Sequence, residues 1–172
     1  MLRLSILPAI LVLASCGGAE TPAATTPEPA PAATETPATA GAMPATPENI
    51  QGPPTPWDQM EGHAKGQWMM DHVMPTMGPL FREFDPARYA DFNCGTCHGE
   101  HARENHFAMP TPELPVLPGP TGDWAAYGAQ HERMIQFMGG PVEHTMAALL
   151  GEQPYDPATS QGFGCYDCHT HQ

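Results

Sequence analysis

Apolar residues in the last two thirds of the chain recur at helical spacing. Nowhere do they alternate in the period of two that a strand requires. Val73, Thr76, Met77 and Leu80 stand three and four positions apart, and so do Val142, Thr145, Met146 and Leu149. Pro and Gly punctuate the pattern, so the expected fold is all-α, in short helical pieces with little or no sheet. The two sets are copies at one constant offset. After a two-residue insertion, Asp85-Pro86-Ala87 returns as Asp156-Pro157-Ala158, and Phe92 as Phe163. Upstream, Trp57 corresponds loosely to Trp124, His63 to His131 and Trp68-Met69 to Phe137-Met138. Such a duplication predicts two pseudo-symmetric units, residues 57–106 and 123–172.

Each unit should contain three helical pieces. The first is expected to start at an N-cap, Thr55 before Pro56 in one copy and Asp123 before Trp124 in the other. It should end near Met70, or at Gly139-Gly140. The second runs from near Asp71, or Pro141, to about Phe84 or Leu150. Pro79 is expected to kink or shorten it in the first copy alone. The third is a short piece capped by Asp85 or Asp156 ahead of a proline. Residues 107–122 have no counterpart. Met109-Pro110-Thr111-Pro112 and Leu114-Pro115-Val116-Leu117-Pro118 are too rich in proline for a helix and read as an extended strap joining the halves. Its apolar residues should cover the seam or a bound group.

The amino-terminal third reads differently. Arg3 precedes an apolar stretch from Leu4 to Ala14, a leader too short to span a bilayer. It ends in Leu13-Ala14-Ser15-Cys16, which resembles the bacterial lipobox. That likeness makes residues 1–15 a lipoprotein signal peptide and Cys16 a lipidated amino terminus. The alternative is an ordinary signal peptide with a stray thiol. Gly17 stands where some lipoproteins carry an inner-membrane retention Asp, which favours the outer membrane, facing the periplasm or the cell surface. Residues 16–56 are mostly Ala, Pro and Thr, with four Glu and no Lys or Arg. They cannot bury enough surface to offset their conformational entropy and read as a tether. The folded region is then 57–172, small for a core of its own.

Two motifs carry the chemistry: Cys94-Gly95-Thr96-Cys97-His98 and Cys165-Tyr166-Asp167-Cys168-His169. C-x-x-C-H is the attachment signature of a c-type haem. The two thiols bond the two vinyl groups of one haem, and the adjacent His sits under the iron. The cofactors expected are therefore two covalently bound haem c groups. Every cysteine except Cys16 is used, which leaves none for a structural disulfide. A four-Cys zinc site would leave the following His unexplained in both copies.

The remaining axial position of each iron decides what the site can do. Met77 and Met146 occupy the same slot, inside Thr-Met-x-x-Leu, and are the expected distal ligands. The chain has eleven Met, most of which should be core filler. His63 and His131 are the bis-His alternative. His72 and His144 do not align with each other.

A helix with an axial Met, a turn, and a helix running into C-x-x-C-H, used twice, resembles the haem-binding repeat of the tetrahaem cytochrome subunit of photosynthetic reaction centres. The resemblance covers about residues 57–172 and departs from that family in having two haems instead of four. It implies an electron carrier, and some members of that family are lipid-anchored. Formal net charge is −13. Residues 57–172 hold fifteen acidic against five basic residues, a balance that repels nucleic acid and steers basic redox partners. Acidity that serves solubility alone is the other reading. The function expected is membrane-anchored electron transfer outside the cytoplasm, without catalysis. A di-haem peroxidase would need distal polar groups around an open iron, and a haem-based redox or gas sensor would need a signalling module. Neither is evident.

Overall fold

The computed structural model describes residues 43–172. The leader, Cys16 and the tether as far as residue 42 lie outside the described residues. The fold is all-α. Its elements are α1 (Gly62–Trp68), α2 (Met74–Phe84), α3 (Cys94–His98), α4 (Trp124–Phe137), α5 (Glu143–Leu150) and α6 (Cys165–Cys168). Among the described residues, β-pairing is confined to isolated bridges.

The duplication is visible in the backbone. α1 does not stop before α2, and α4 does not stop before α5. Each pair is joined by a single π turn, Met69–Val73 in one copy and Met138–Val142 in the other. Met74 N–H donates to the Met69 carbonyl and Glu143 N–H to the Met138 carbonyl. The wide turn therefore falls at the same register in both. This corrects the expected helix breaks at Met70 and at Gly139-Gly140. A π turn absorbs one extra residue without ending the helix. In the second copy it contains Pro141, whose missing N–H costs least where the ladder is already interrupted.

Three further expectations change. The first copy's opening helix does not start at Pro56; Trp57–Gln59 form one 3-10 turn and α1 begins at Gly62. Asp123 does cap α4, its Oδ1 accepting from Ala126 N at 2.9 Å. Pro79 does not shorten α2, which runs eleven residues through it. The preceding Gly78 has no Cβ to strike the proline ring, so it tolerates helical backbone there. Asp85 and Asp156 start tight turns instead of helices. Asp85 Oδ1 accepts from Arg88 N at 3.0 Å and Asp156 Oδ1 from Ala158 N at 2.8 Å, the Asx arrangement that competes with helix.

The copies pack as an internal two-fold pair. α2 lies on the second π turn and α5 on the first. Each copy's first helix also binds the end of the other's second helix. Trp68 Nε1 donates to the Leu149 carbonyl at 2.8 Å, and Arg133 Nη2 to the Phe84 carbonyl at 2.7 Å. The Arg133 guanidinium also covers the Phe84 ring at 3.9 Å. A hydrogen bond from a charged donor contributes about 1.5–3 kcal/mol. Phe137 is fully buried, stacked on Phe84 at 3.9 Å and edge-on to Phe81 at 5.1 Å. Val73, Met77, Leu80, Tyr89 and Leu149 complete this core. Residues 43–56, assigned to the tether by composition, lie against the helices. Ile50 packs on the core, Gly52 on Gly151, and an open hollow of ≈ 740 Å³ separates 47–54 from Trp68, His72 and Leu149.

Candidate haem sites

Both C-x-x-C-H motifs fold as single helical turns, which places cysteines three apart on one face. Asn93 starts α3, its Oδ1 accepting from Gly95 N at 2.8 Å while Thr96 Oγ1 accepts from Asn93 N at 3.1 Å. α6 repeats the second bond, with Asp167 Oδ2 accepting from Gly164 N at 2.7 Å. The motifs part at the histidine. His98 remains helical and Gly99 ends the turn at φ +85°, a conformation glycine adopts without strain. The second copy has Thr170 there, and His169 itself leaves the helix at φ −106°, ψ 140°.

The strap holds both motifs. Along the second it forms a short parallel seam. Thr111 N–H donates to the Cys168 carbonyl, Leu117 N–H to that of Thr170, and Gln172 N–H to that of Leu117. Tyr166 Oη adds a bond to the Pro118 carbonyl at 2.7 Å. Toward the first motif it presents Glu113, which accepts from His101 N at 3.1 Å and Asn105 Nδ2 at 3.0 Å and pairs with His101 Nδ1 at 3.2 Å. Leu117 is buried, while Phe107 and Val116 are exposed.

The histidines are oriented differently. A carbonyl can only accept, so the 2.9 Å contact of His169 Nδ1 with the Pro115 oxygen puts the proton on Nδ1 and leaves Nε2 a free lone pair. His98 Nδ1 is buried without a hydrogen bond of normal geometry. Burial lowers the His98 pKa, opposed by the Phe107 backbone, and the Phe107 ring meets the imidazole edge-on at 5.5 Å.

Desolvation pushes the Cys97 thiol up to about 11, with Cys94 adding to it. It pushes Cys168 up to about 12, with Cys97, Asp167 and Cys165 adding to it. The second cysteines of the two motifs are thus close enough to feel each other's charge. Burial followed by Glu143 raises Cys165. Desolvated Cys97 and Cys168 are suited to a thioether and poor as thiolate nucleophiles.

Met77 is 1 % exposed in the main core, against which Phe92 packs. Met146 lies at the junction of the main core and a smaller cluster of Ala147, Leu150 and Phe163, against which Cys168 also packs. Each methionine therefore shares a cluster with the phenylalanine that leads into its own motif. Among the rivals, His63 is exposed on α1. His131 is half-buried in a non-helical kink of α4, 4.5 Å from Tyr127. His72 stacks on Trp68, and His144 contacts the Gly140 carbonyl.

A c-type haem fits this donor set. Two thiols share one turn in each copy, with the imidazole inside that turn in the first and just past its end in the second, and an open hollow of ≈ 720 Å³ adjoins the first motif, lined by Cys94, Thr96 and Phe107 among others. Among the described residues, the two buried side-chain polar atoms without a hydrogen bond of normal geometry, His98 Nδ1 and Thr145 Oγ1, belong to a motif histidine and to the neighbour of Met146. Among the described residues no group of three or more His, Cys, Asp or Glu is assembled to hold a metal ion, and no helix is long and apolar enough to cross a membrane. Sequence reasoning missed the Pro115 carbonyl and the Glu113 clamp, because neither a backbone oxygen nor a pairing across twelve residues has a motif.

The clamp titrates. The hydrogen bond from Glu113 raises the His101 pKa above 6.5, and the bond from the His101 backbone lowers that of Glu113. The His101 contribution is complete below its unfolded pKa and is lost as pH rises through the raised folded value. The Glu113 contribution is present above its unfolded pKa and is lost as pH falls through the lowered one. The strap is therefore held most firmly in mildly acidic solution. An NMR titration should place His101 above 6.5, and Glu113→Gln should bring it back down.

No protein-family model, curated protein or solved structure matches this chain.

Proposed function

We propose that this chain is an exported, lipid-anchored di-haem cytochrome c that carries electrons between redox partners outside the cytoplasm. The observation that carries the reading is the paired motif: each C-x-x-C forms one helical turn, followed at once by its histidine, behind the same bent helix, with its methionine in the cluster that leads to it. Cys94, Cys97, Cys165 and Cys168 would hold the porphyrins, His98 and His169 would be the proximal ligands, and Met77 and Met146 the distal ones. Bound haem supplies reversible one-electron chemistry at iron. The chain's share is to orient the imidazoles and bring the two motifs together at Cys97 and Cys168. Its acidic surface favours basic partners, with association slowed by salt. Cys16 would tie the domain to the membrane.

A pyridine haemochrome assay on purified protein should return two covalent haems per chain. Met77→Ala and Met146→Ala should each remove part of the weak near-infrared band of a ferric His/Met haem. Stoichiometric zinc without haem would end the reading.

A further inference from the structure

We infer that the second motif holds the haem of lower potential and the first that of higher potential, with Asp167 setting much of the difference. The inference rests on the di-haem reading and assigns an order to its two sites.

Thr96 and Asp167 are equivalent positions in the duplication, each between the two cysteines of its motif. They do the same structural work, since the Oγ1 of one and the Oδ2 of the other accept the backbone N–H that precedes the helix. They differ by one full negative charge. Oxidising a haem iron adds one positive charge to it. A fixed anion beside the site stabilises the oxidised form and lowers the potential. The Asp167 carboxylate is held in place in the turn between the two cysteines by the 2.7 Å bond it accepts from Gly164 N–H.

The proximal ligands act in the same direction. The Pro115 carbonyl accepts a hydrogen bond from His169 Nδ1 at 2.9 Å, which would make the imidazole a stronger donor and favour oxidised iron. His98 meets only the Phe107 backbone, without a hydrogen bond of normal geometry at Nδ1. The distal donors are the same atom type in both copies and cancel. Acids beside the first motif oppose the order weakly. Glu113 is paired with His101, and Glu100 and Glu104 are exposed and share their hollow with Arg103, where solvent and salt screen them.

The test is a spectroelectrochemical titration of the full chain after its haem count has been measured. Asp167→Thr gives the second motif the first motif's residue and keeps the cap. It should move the lower midpoint up and leave the upper one in place. Thr96→Asp should move the upper midpoint down. Asp167→Asn, of the same shape, should act as Asp167→Thr does. Unchanged thermal unfolding with a shifted midpoint separates charge from a structural effect. A chain with two haems in which Asp167→Thr moves the upper midpoint, moves the lower one down or moves neither overturns the inference. A chain without covalent haem overturns the di-haem reading itself.

Discussion

Phe137→Ala should destabilise the domain by about 3–5 kcal/mol, the usual cost of deleting a fully buried aromatic ring. The side chain is 0 % exposed, stacks on Phe84 and meets Phe81 edge-on. It therefore joins the helix of one copy to the second helix of the other. Against a total stability of about 5–15 kcal/mol for a domain, this loss is a large fraction. Chemical denaturation should show an earlier midpoint with little change in slope. Loss of less than about 1 kcal/mol would mean that the copies are held together mainly elsewhere.

Cys16→Ser should move the protein from the membrane fraction to the soluble fraction with its haem retained. Acyl chains supply the membrane affinity of a lipoprotein, and stable attachment takes two such signals. Among the described residues no helix can span a bilayer, and an acidic domain is repelled by anionic headgroups. Membrane fractionation followed by haem staining checks this. A mutant that stays bound at high salt would assign attachment to the domain itself and remove the lipid-anchor reading.

The duplication was legible because it repeats side chains that face one core: Val73 with Val142, Met77 with Met146, Leu80 with Leu149. The all-α class followed from their spacing. The joins were misread because proline and glycine pairs usually end helices. In this chain, burial of Val73 on one turn and of Pro141 on the other keeps both bent helices continuous, and the π turn takes up the strain. The Asp-Pro signals marked the right places but not the right structure, since Phe92 must turn back to meet Phe81 at 4.9 Å within seven residues of Asp85. The histidine environments were out of reach. They depend on Gly99 ending one motif where Thr170 continues the other, and on a strap carbonyl fifty-four residues away from His169.

The packed segment 43–56 also sets the length of a leash. For a chain anchored at Cys16, at most the twenty-six residues 17–42 could serve as tether, because 43–56 are already engaged by the helices. Forty would remain if the whole of 17–56 were free. At about 3.5 Å per residue the taut limit falls from about 140 Å to about 90 Å. Effective concentration varies as roughly the −3/2 power of linker length, so the domain is crowded against the membrane surface about twofold more. That gain belongs to partners embedded in the same membrane, and it is taken from those that must be met farther away.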